Sequence, residues 1–405
     1  MTKHIIYILL AIFSNPFYSQ NIKSIQLRPL SKNSYTAIVP LGTSLHLSFD
    51  DLEADVKDYR YRIEHMNHNW QKSRLLSSQY INGFDENTII NVTNSFNTLQ
   101  SYTHYEVQFP NTNTVITKSG NYVVSVLDDY DTVVFSRRFV LYEKAAIIGL
   151  QVSRSRDAKH LNTQQTLEFS INHPRLRINN PSQEIHVTLL KNNNWKETIS
   201  DIQPTFFGPK QLKYTYTNKT NFWGGNEYLN FDSKFLRNKS INTVRIEKGP
   251  TFQHYLYPYN YNPNLTYRYN PDINGQFEFR SLEGNDARTE ADYVTMHFSL
   301  TKDIPFTNKK VHVYGAFNDF KIEKATELFY DFNSKAYKGS ILLKQGFYNY
   351  TFATVDENKI VDTNEINGTF FQTENQYTVI AYFRPFGSLY DRVIGVGTSN
   401  FSQDK

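Results

Sequence analysis

The chain has 405 residues, 43 of them basic and 39 acidic, a formal net charge of +4 and no cysteine. This length allows about two to four domains. The interspersed charges offer no nucleic-acid-binding tract, and the lack of thiols excludes disulfides, thiolate metal sites and cysteine nucleophiles. Thirty Phe and 29 Tyr, with plentiful Thr, Val and Ile, favour half-buried strands.

The first twenty residues, MTKHIIYILLAIFSNPFYSQ, read as a signal peptide (1–20). Lys3 supplies a positive start, Ile5 to Phe13 an apolar stretch too short to cross a membrane, and Ser19 a plausible last leader residue. No later segment approaches the ~20 apolar residues of a membrane helix. The mature chain is therefore expected to be exported and soluble, with no direct membrane insertion.

From there period-two alternation dominates. Leu45, Leu47 and Phe49 share one face against His46, Ser48 and Asp50, and Tyr59, Tyr61 and Ile63 oppose Arg60, Arg62 and Glu64. Leu167, Phe169 and Ile171 repeat the pattern, as do Ile185, Val187 and Leu189, then Leu212, Tyr214 and Tyr216. Such strands pack on a core from one side. Asp-, Asn- and Gly-rich turns separate them, as in LDDYDT and NPDINGQ. The expected class is all-β, with tandem immunoglobulin-like or fibronectin-like β-sandwich domains. Boundaries fall where apolar runs restart: sandwich one over 21–145, sandwich two over 146–290, a third over 291–385, and a C-terminal tail over 386–405.

No nucleophile elbow, phosphate loop, zinc-protease pair or dinucleotide fingerprint occurs, so no catalytic residue and no cofactor is assigned. His65 and His68 are the best metal candidates. On a strand, however, residues three apart point to opposite faces, no third ligand is indicated, and no metal site is assigned. The acidic run Asp50, Asp51, Glu53, Asp55 and Asp58 reads as a solvated loop, without the glycine and spaced oxygens of a calcium loop. In NFWGGNEYLNF, Phe222, Trp223 and Tyr228 crowd around Gly224, Gly225 and Asn226. The glycines permit a tight turn. That turn is either an aromatic plug over a sandwich end or a rigid surface loop for a protein partner.

Near the C-terminus, YGAFNDF and LLKQGFYNYTFATVD resemble the two strand motifs of glycogen-binding modules, an E-set sandwich. The sugar-binding positions depart from that pattern: Phe320 stands where a Trp platform is found, Thr351 where a Lys is, and Lys359 where a second Trp is. Asn318 and Asp319 suit the needs of the turn. The module therefore reads as the scaffold without its glycan site, with Phe320 in the core or turn and a glycan an unlikely partner.

Taken in order, LSFDDLEADVKDYRYRIEHMNHNW, SSQYINGF, NSFNTLQSYTHYEVQFPN, FSRRFVLYE, NFWGGNEYLNFD, EADYVTMHFSL and YDRVIGV resemble the plug proteins of the bacterial type IX secretion system across nearly the whole mature chain. The resemblance implies a non-catalytic periplasmic component. Its partner would be the giant outer-membrane β-barrel translocon, whose pore it would plug at the periplasmic end when no substrate is engaged. Two stretches of that resemblance carry the contact candidates: the loop Phe222, Trp223, Gly224, Gly225 and Asn226, and the tail residues Tyr390, Asp391 and Arg392. A periplasmic or secreted carbohydrate-binding protein is the alternative.

Overall fold

Alternating apolar side chains specify which face of a strand is buried, and the first third of the chain follows that pattern. The computed structural model describes residues 21–31 and 34–402; the leader read at 1–20 lies outside them. Ile22–Arg28, Leu45–Asp51, Thr103–Phe109 and Asn91–Asn94 form one sheet in that order. Facing it is a sheet of Ile38–Pro40, Val133–Tyr142, Gly120–Leu127, Arg60–Met66 and Glu86–Thr88. Leu45, Leu47, Phe49, Tyr61 and Ile63 meet Tyr122, Val124 and Phe139 in the core between them. Phe49 stacks on Tyr105 with ring centres 5.0 Å apart, a contact worth roughly 0.5–1.5 kcal/mol beyond burial.

The second sandwich is built from two distant pieces of chain. One sheet holds Ile147–Arg154, Gln164–Asn172, Gln211–Tyr214 and Phe206–Phe207, with Asn221–Trp223 also on Gln164–Asn172. The other runs Thr198–Ser200, Ile185–Lys191, Asn375–Phe383, Arg392–Phe401. Residue for residue, Ile185 faces Phe383 and Lys191 faces Tyr377. Leu167, Phe169, Val187 and Leu189 therefore share a core with Tyr377, Val379, Ala381 and Ile394.

Between those pieces lies the third sandwich, an 11-stranded sheet folded over its own core. It starts at Leu229–Asp232 and includes Thr243–Lys248, Phe252–Leu256 and Phe277–Phe279 as well as the glycogen-module-like strands Lys309–Tyr314 and Gly346–Asp356. Phe231 packs on Tyr348 at 5.1 Å and Phe298 at 5.9 Å, closing its two halves.

This pairing corrects the division drawn from sequence at 290 and 385. The polar stretch 282–290 lies inside the third sandwich, because Phe277–Phe279 on one side of it pairs with Gly346–Asp356 on the other. The segment read as a tail from 386 holds a full strand, Arg392–Phe401, whose partner Asn375–Phe383 also belongs to the second sandwich. The arrangement is nested rather than tandem. Alternation tells which face of a strand is buried but not which strand lies beside it.

Candidate functional site at the seams between the sandwiches

Polar residues converge where the sandwiches meet. At the seam between the first and third, Asp50 is fully buried and receives Lys344 Nζ at 2.7 Å, Tyr293 Oη at 2.7 Å and His104 Nδ1 at 2.6 Å. Lys344 also donates to the carbonyl of Arg288 and lies 4.2 Å from the centre of the Tyr102 ring. Burial alone would raise the Asp50 carboxyl, but Lys344 and His104 hold it below its usual range. Nearby, Asp292 accepts from the backbone N–H groups of Leu99 at 2.7 Å and Gln100 at 3.1 Å. Asp50 and Asp51 were read as members of a solvated loop. Both are buried strand residues, and the third sandwich covers the face on which Asp50 lies. Glu53, Asp55 and Asp58 are exposed, as read. The oxygens of Asp51, Glu53 and Asp55 cluster closely enough for a cation. That place is taken by the Lys57 ammonium, 2.8 Å from Asp51 and 3.3 Å from Asp55.

The tail candidates lie at the seam between the first and second sandwiches. Asp391 is fully buried; its Oδ2 accepts from the His68 backbone N–H at 2.8 Å and lies 3.0 Å from His68 Nδ1. Arg392 is bound to Glu143, with Nη2 to Oε2 at 2.5 Å and Nε to Oε1 at 3.3 Å. Half-buried Tyr390 meets His65 edge-on at 5.4 Å, with Lys118 over its ring. The same seam holds Trp70 against Trp195 at 4.8 Å. These residues fasten the second sandwich to the first, so Asp391 is not on the surface, and Arg392 is already paired.

His65 and His68 do not converge. His65 is buried, with Nε2 3.3 Å from the Ser119 carbonyl, and burial pushes its imidazole down to about 4. His68 turns instead toward Asp391 and His186, whose donor atoms lie close together. The two imidazoles are stacked, centres 3.8 Å apart and planes within 6° of parallel. Since a metal binds in the plane of each imidazole, parallel stacked rings cannot both reach one ion in this arrangement.

The Gly-Gly loop occupies the third seam, where the chain crosses from the second sandwich to the third and returns. Phe222 is buried against Tyr377 at 5.4 Å. A Cβ on Gly224 would lie 2.0 Å from the Phe370 carbonyl oxygen, so only glycine allows this approach. Gly225 has φ +70°, and its N–H donates to Thr369 Oγ1 at 3.0 Å while its carbonyl accepts from Phe370 N at 2.8 Å. Asn226 Nδ2 donates to the Asn367 carbonyl at 2.8 Å. Four of the five loop candidates thus tie the outgoing strand to the returning one. Only Trp223 keeps a large free surface, 42% exposed, with His160 edge-on at 5.0 Å. Beside this loop, Asp272 accepts from the Tyr228 and Asn274 N–H groups. Burial, with Glu227 and Glu374 close by, raises its carboxyl to about 7.

In the glycogen-module-like motif, Phe320 is buried against Tyr314 at 5.3 Å, so its ring offers no platform to a sugar. Sequence reasoning missed the Asp50–Lys344 contact altogether. Its one signal was a lysine closing the apolar run ILLK.

Fold and seams together define a class: an all-β protein of three sandwiches, one nested in another, whose buried polar clusters hold the sandwiches to each other. The model of the type 9 secretion system plug protein first domain matches residues 22–143, the first sandwich. No curated protein matches the chain. The crystal structure of a hypothetical protein from Parabacteroides merdae ATCC 43184 is 30% identical, covers 94% of this chain and 98% of its own, and superposes with a TM-score of 0.90. The chain belongs to the type IX secretion system plug protein family. It is a plug-type, envelope-associated component of that secretion system.

Proposed function

We propose that the chain is a non-catalytic periplasmic plug. It is exported by its leader, binds the giant outer-membrane β-barrel translocon and closes the periplasmic end of the pore when no substrate is engaged. The observation that carries this reading, beyond family membership, is the fastening of three sandwiches at buried seams. A stopper for a wide channel must keep its shape against an open mouth, and the pair Asp50–Lys344 with the pair Asp391–His68 resists hinge motion between its parts. The carboxylates and imidazoles of those seams are committed to one another, which suits a body without chemistry to perform.

Release on arrival of cargo calls for a contact of standard size, about 1,200–2,000 Å², with mixed polarity. Of the contact candidates, Trp223 has the exposure to serve as an anchor. Copurification of the tagged protein with the barrel tests the partner, and entry of large antibiotics into cells lacking the gene tests closure. Trp223→Ala should lower barrel occupancy and raise leakage while the melting temperature holds. Wild-type occupancy in that variant would remove Trp223 from the interface, and failure of the intact protein to copurify would sink the plug reading.

A further inference from the structure

All three sandwiches meet around one cleft of about 280 Å³ lined by Arg28, Arg137, Arg138, Lys196 and Lys321. The single acidic residue lining it is Asp319. Among the described residues none of these five cations has a carboxylate within ion-pair distance, whereas the buried Lys191 and Lys344 hold theirs at 2.8 and 2.7 Å. Arg28 and Arg137 are half-buried, while Arg138, Lys196 and Lys321 flank the open side. Burial lowers the Arg137 guanidinium and the Lys321 ammonium below their ordinary values; Arg137 presses Lys321 further down, while Asp319 and Glu323 oppose both shifts without cancelling them. A neighbouring cavity of about 180 Å³ shares Ile25, Arg137, Phe277 and Lys321 and adds Lys23 and the carboxylate Glu323, so the space is elongated and its cations still outnumber its carboxylates. Along it runs Ile22–Arg28, the end strand of its sheet, whose outer edge has no strand beside it among the described residues.

We propose that this cleft binds an extended acidic peptide segment of a partner protein, its carboxylates on Arg28, Arg137 and Lys321 and its backbone along the free edge of Ile22–Arg28. Five cations gathered around one cleft carboxylate, none in direct ion-pair contact, disfavour the empty state, and a ligand that supplies further carboxylates recovers part of that free energy. Arginine forks match carboxylates bidentately. An unpaired strand edge offers its N–H and C=O groups to an extended chain, the mode by which sheets capture peptides. The length of the combined space and the strand edge favour a peptide over a compact oxyanion. The inference does not depend on the plug reading, since it concerns this cleft alone.

Titration calorimetry of the full chain with a hexaglutamate peptide at low salt tests it, with hexaglutamine, inorganic phosphate and a heparin fragment as the other probes. Saturable binding of hexaglutamate alone is expected, weakened at least tenfold by Arg137→Gln or Lys321→Gln and by added salt. Arg237→Gln, an exposed arginine outside the cleft, should bind as wild type. Both cleft variants should hold or raise the melting temperature of the unliganded protein, because each relieves repulsion. No saturable binding, equal binding of phosphate or heparin, or unchanged affinity in both variants would overturn the assignment. A lowered melting temperature with unchanged affinity would place these cations in the service of the fold instead.

Discussion

Lys344→Met is the sharpest probe of the seam between the first and third sandwiches. Met keeps the length and apolar stem of lysine and removes only the ammonium, which sits 2.7 Å from Asp50 and 4.2 Å from the Tyr102 ring centre. Breaking a buried ion pair by removing one partner costs about 3–5 kcal/mol, because the other charge stays buried without it. Asp50 keeps its contacts with Tyr293 and His104, so we expect the lower end, about 3 kcal/mol. Asp50→Asn leaves the buried Lys344 ammonium without its counter-charge and should likewise cost about 3 kcal/mol. The double variant should lose less than the sum, with a coupling of about 2 kcal/mol. Urea unfolding followed by two probes measures these values, since a three-sandwich protein need not unfold in one step. Hydrogen exchange in Thr103–Phe109 and Ala336–Lys344 reads the seam directly. The pH response has a definite sign: the Asp50 carboxyl is held below its ordinary value, so its stabilisation is complete above the unfolded pKa of about 4 and fades as pH falls through the depressed folded value. Without Lys344 that acid-side loss should begin at higher pH. Single variants as stable as wild type, or strictly additive losses, would refute the reasoning.

The Asp272 carboxyl, raised to about 7, works in the opposite sense: its favourable protonated form is fully present below the unfolded pKa and is lost as pH rises through about 7. Asp272→Asn should therefore stabilise the protein at pH 8 by roughly 1–2 kcal/mol, allowing for its partial exposure, and change little at pH 4. Thermal melts at the two pH values decide this, and a loss at pH 8 would contradict it. Gly224→Ala forces a Cβ to within 2.0 Å of the Phe370 carbonyl oxygen, and should cost about 1–3 kcal/mol as backbone moves aside. Faster proteolytic cutting in the returning segment 363–374 is the expected signature, and an unchanged cleavage pattern would show that the crossing adjusts freely.

The core faces of the first two sandwiches were legible, because Leu45, Leu47, Phe49, Leu167 and Phe169 carry an unbroken period of two and all five are buried. The nesting was not. Asn375–Phe383 pairs with Ile185–Lys191, more than 180 residues earlier, and Arg392–Phe401, taken from sequence for part of a tail, pairs with Asn375–Phe383 on its other side. No local pattern records that partner, since hydrogen bonds between strands use backbone groups common to every residue. Turn composition misled for the same reason: LEGNDARTE has the chemistry of a linker and serves as a surface connection inside one sheet system.

At the candidate site the limit was a different one. The seam residues look ordinary one at a time: Asp50 continues an alternating polar face, His68 sits in a turn, and Asp391 follows a flexible-looking stretch. Their roles arise because a second sandwich covers a face that the first would otherwise give to water. The same covering explains why the Gly-Gly loop, aromatic and glycine-rich enough to suggest an exposed contact, is mostly internal: Phe222 enters a core and Gly224 yields room to the returning turn at Phe370. Trp223, left outside by the alternation of that strand, is the one aromatic of the loop for which burial has no structural demand. Its exposure leaves it free to serve the contact proposed for it above, although isolated exposed aromatics are common on protein surfaces and the copurification experiment decides.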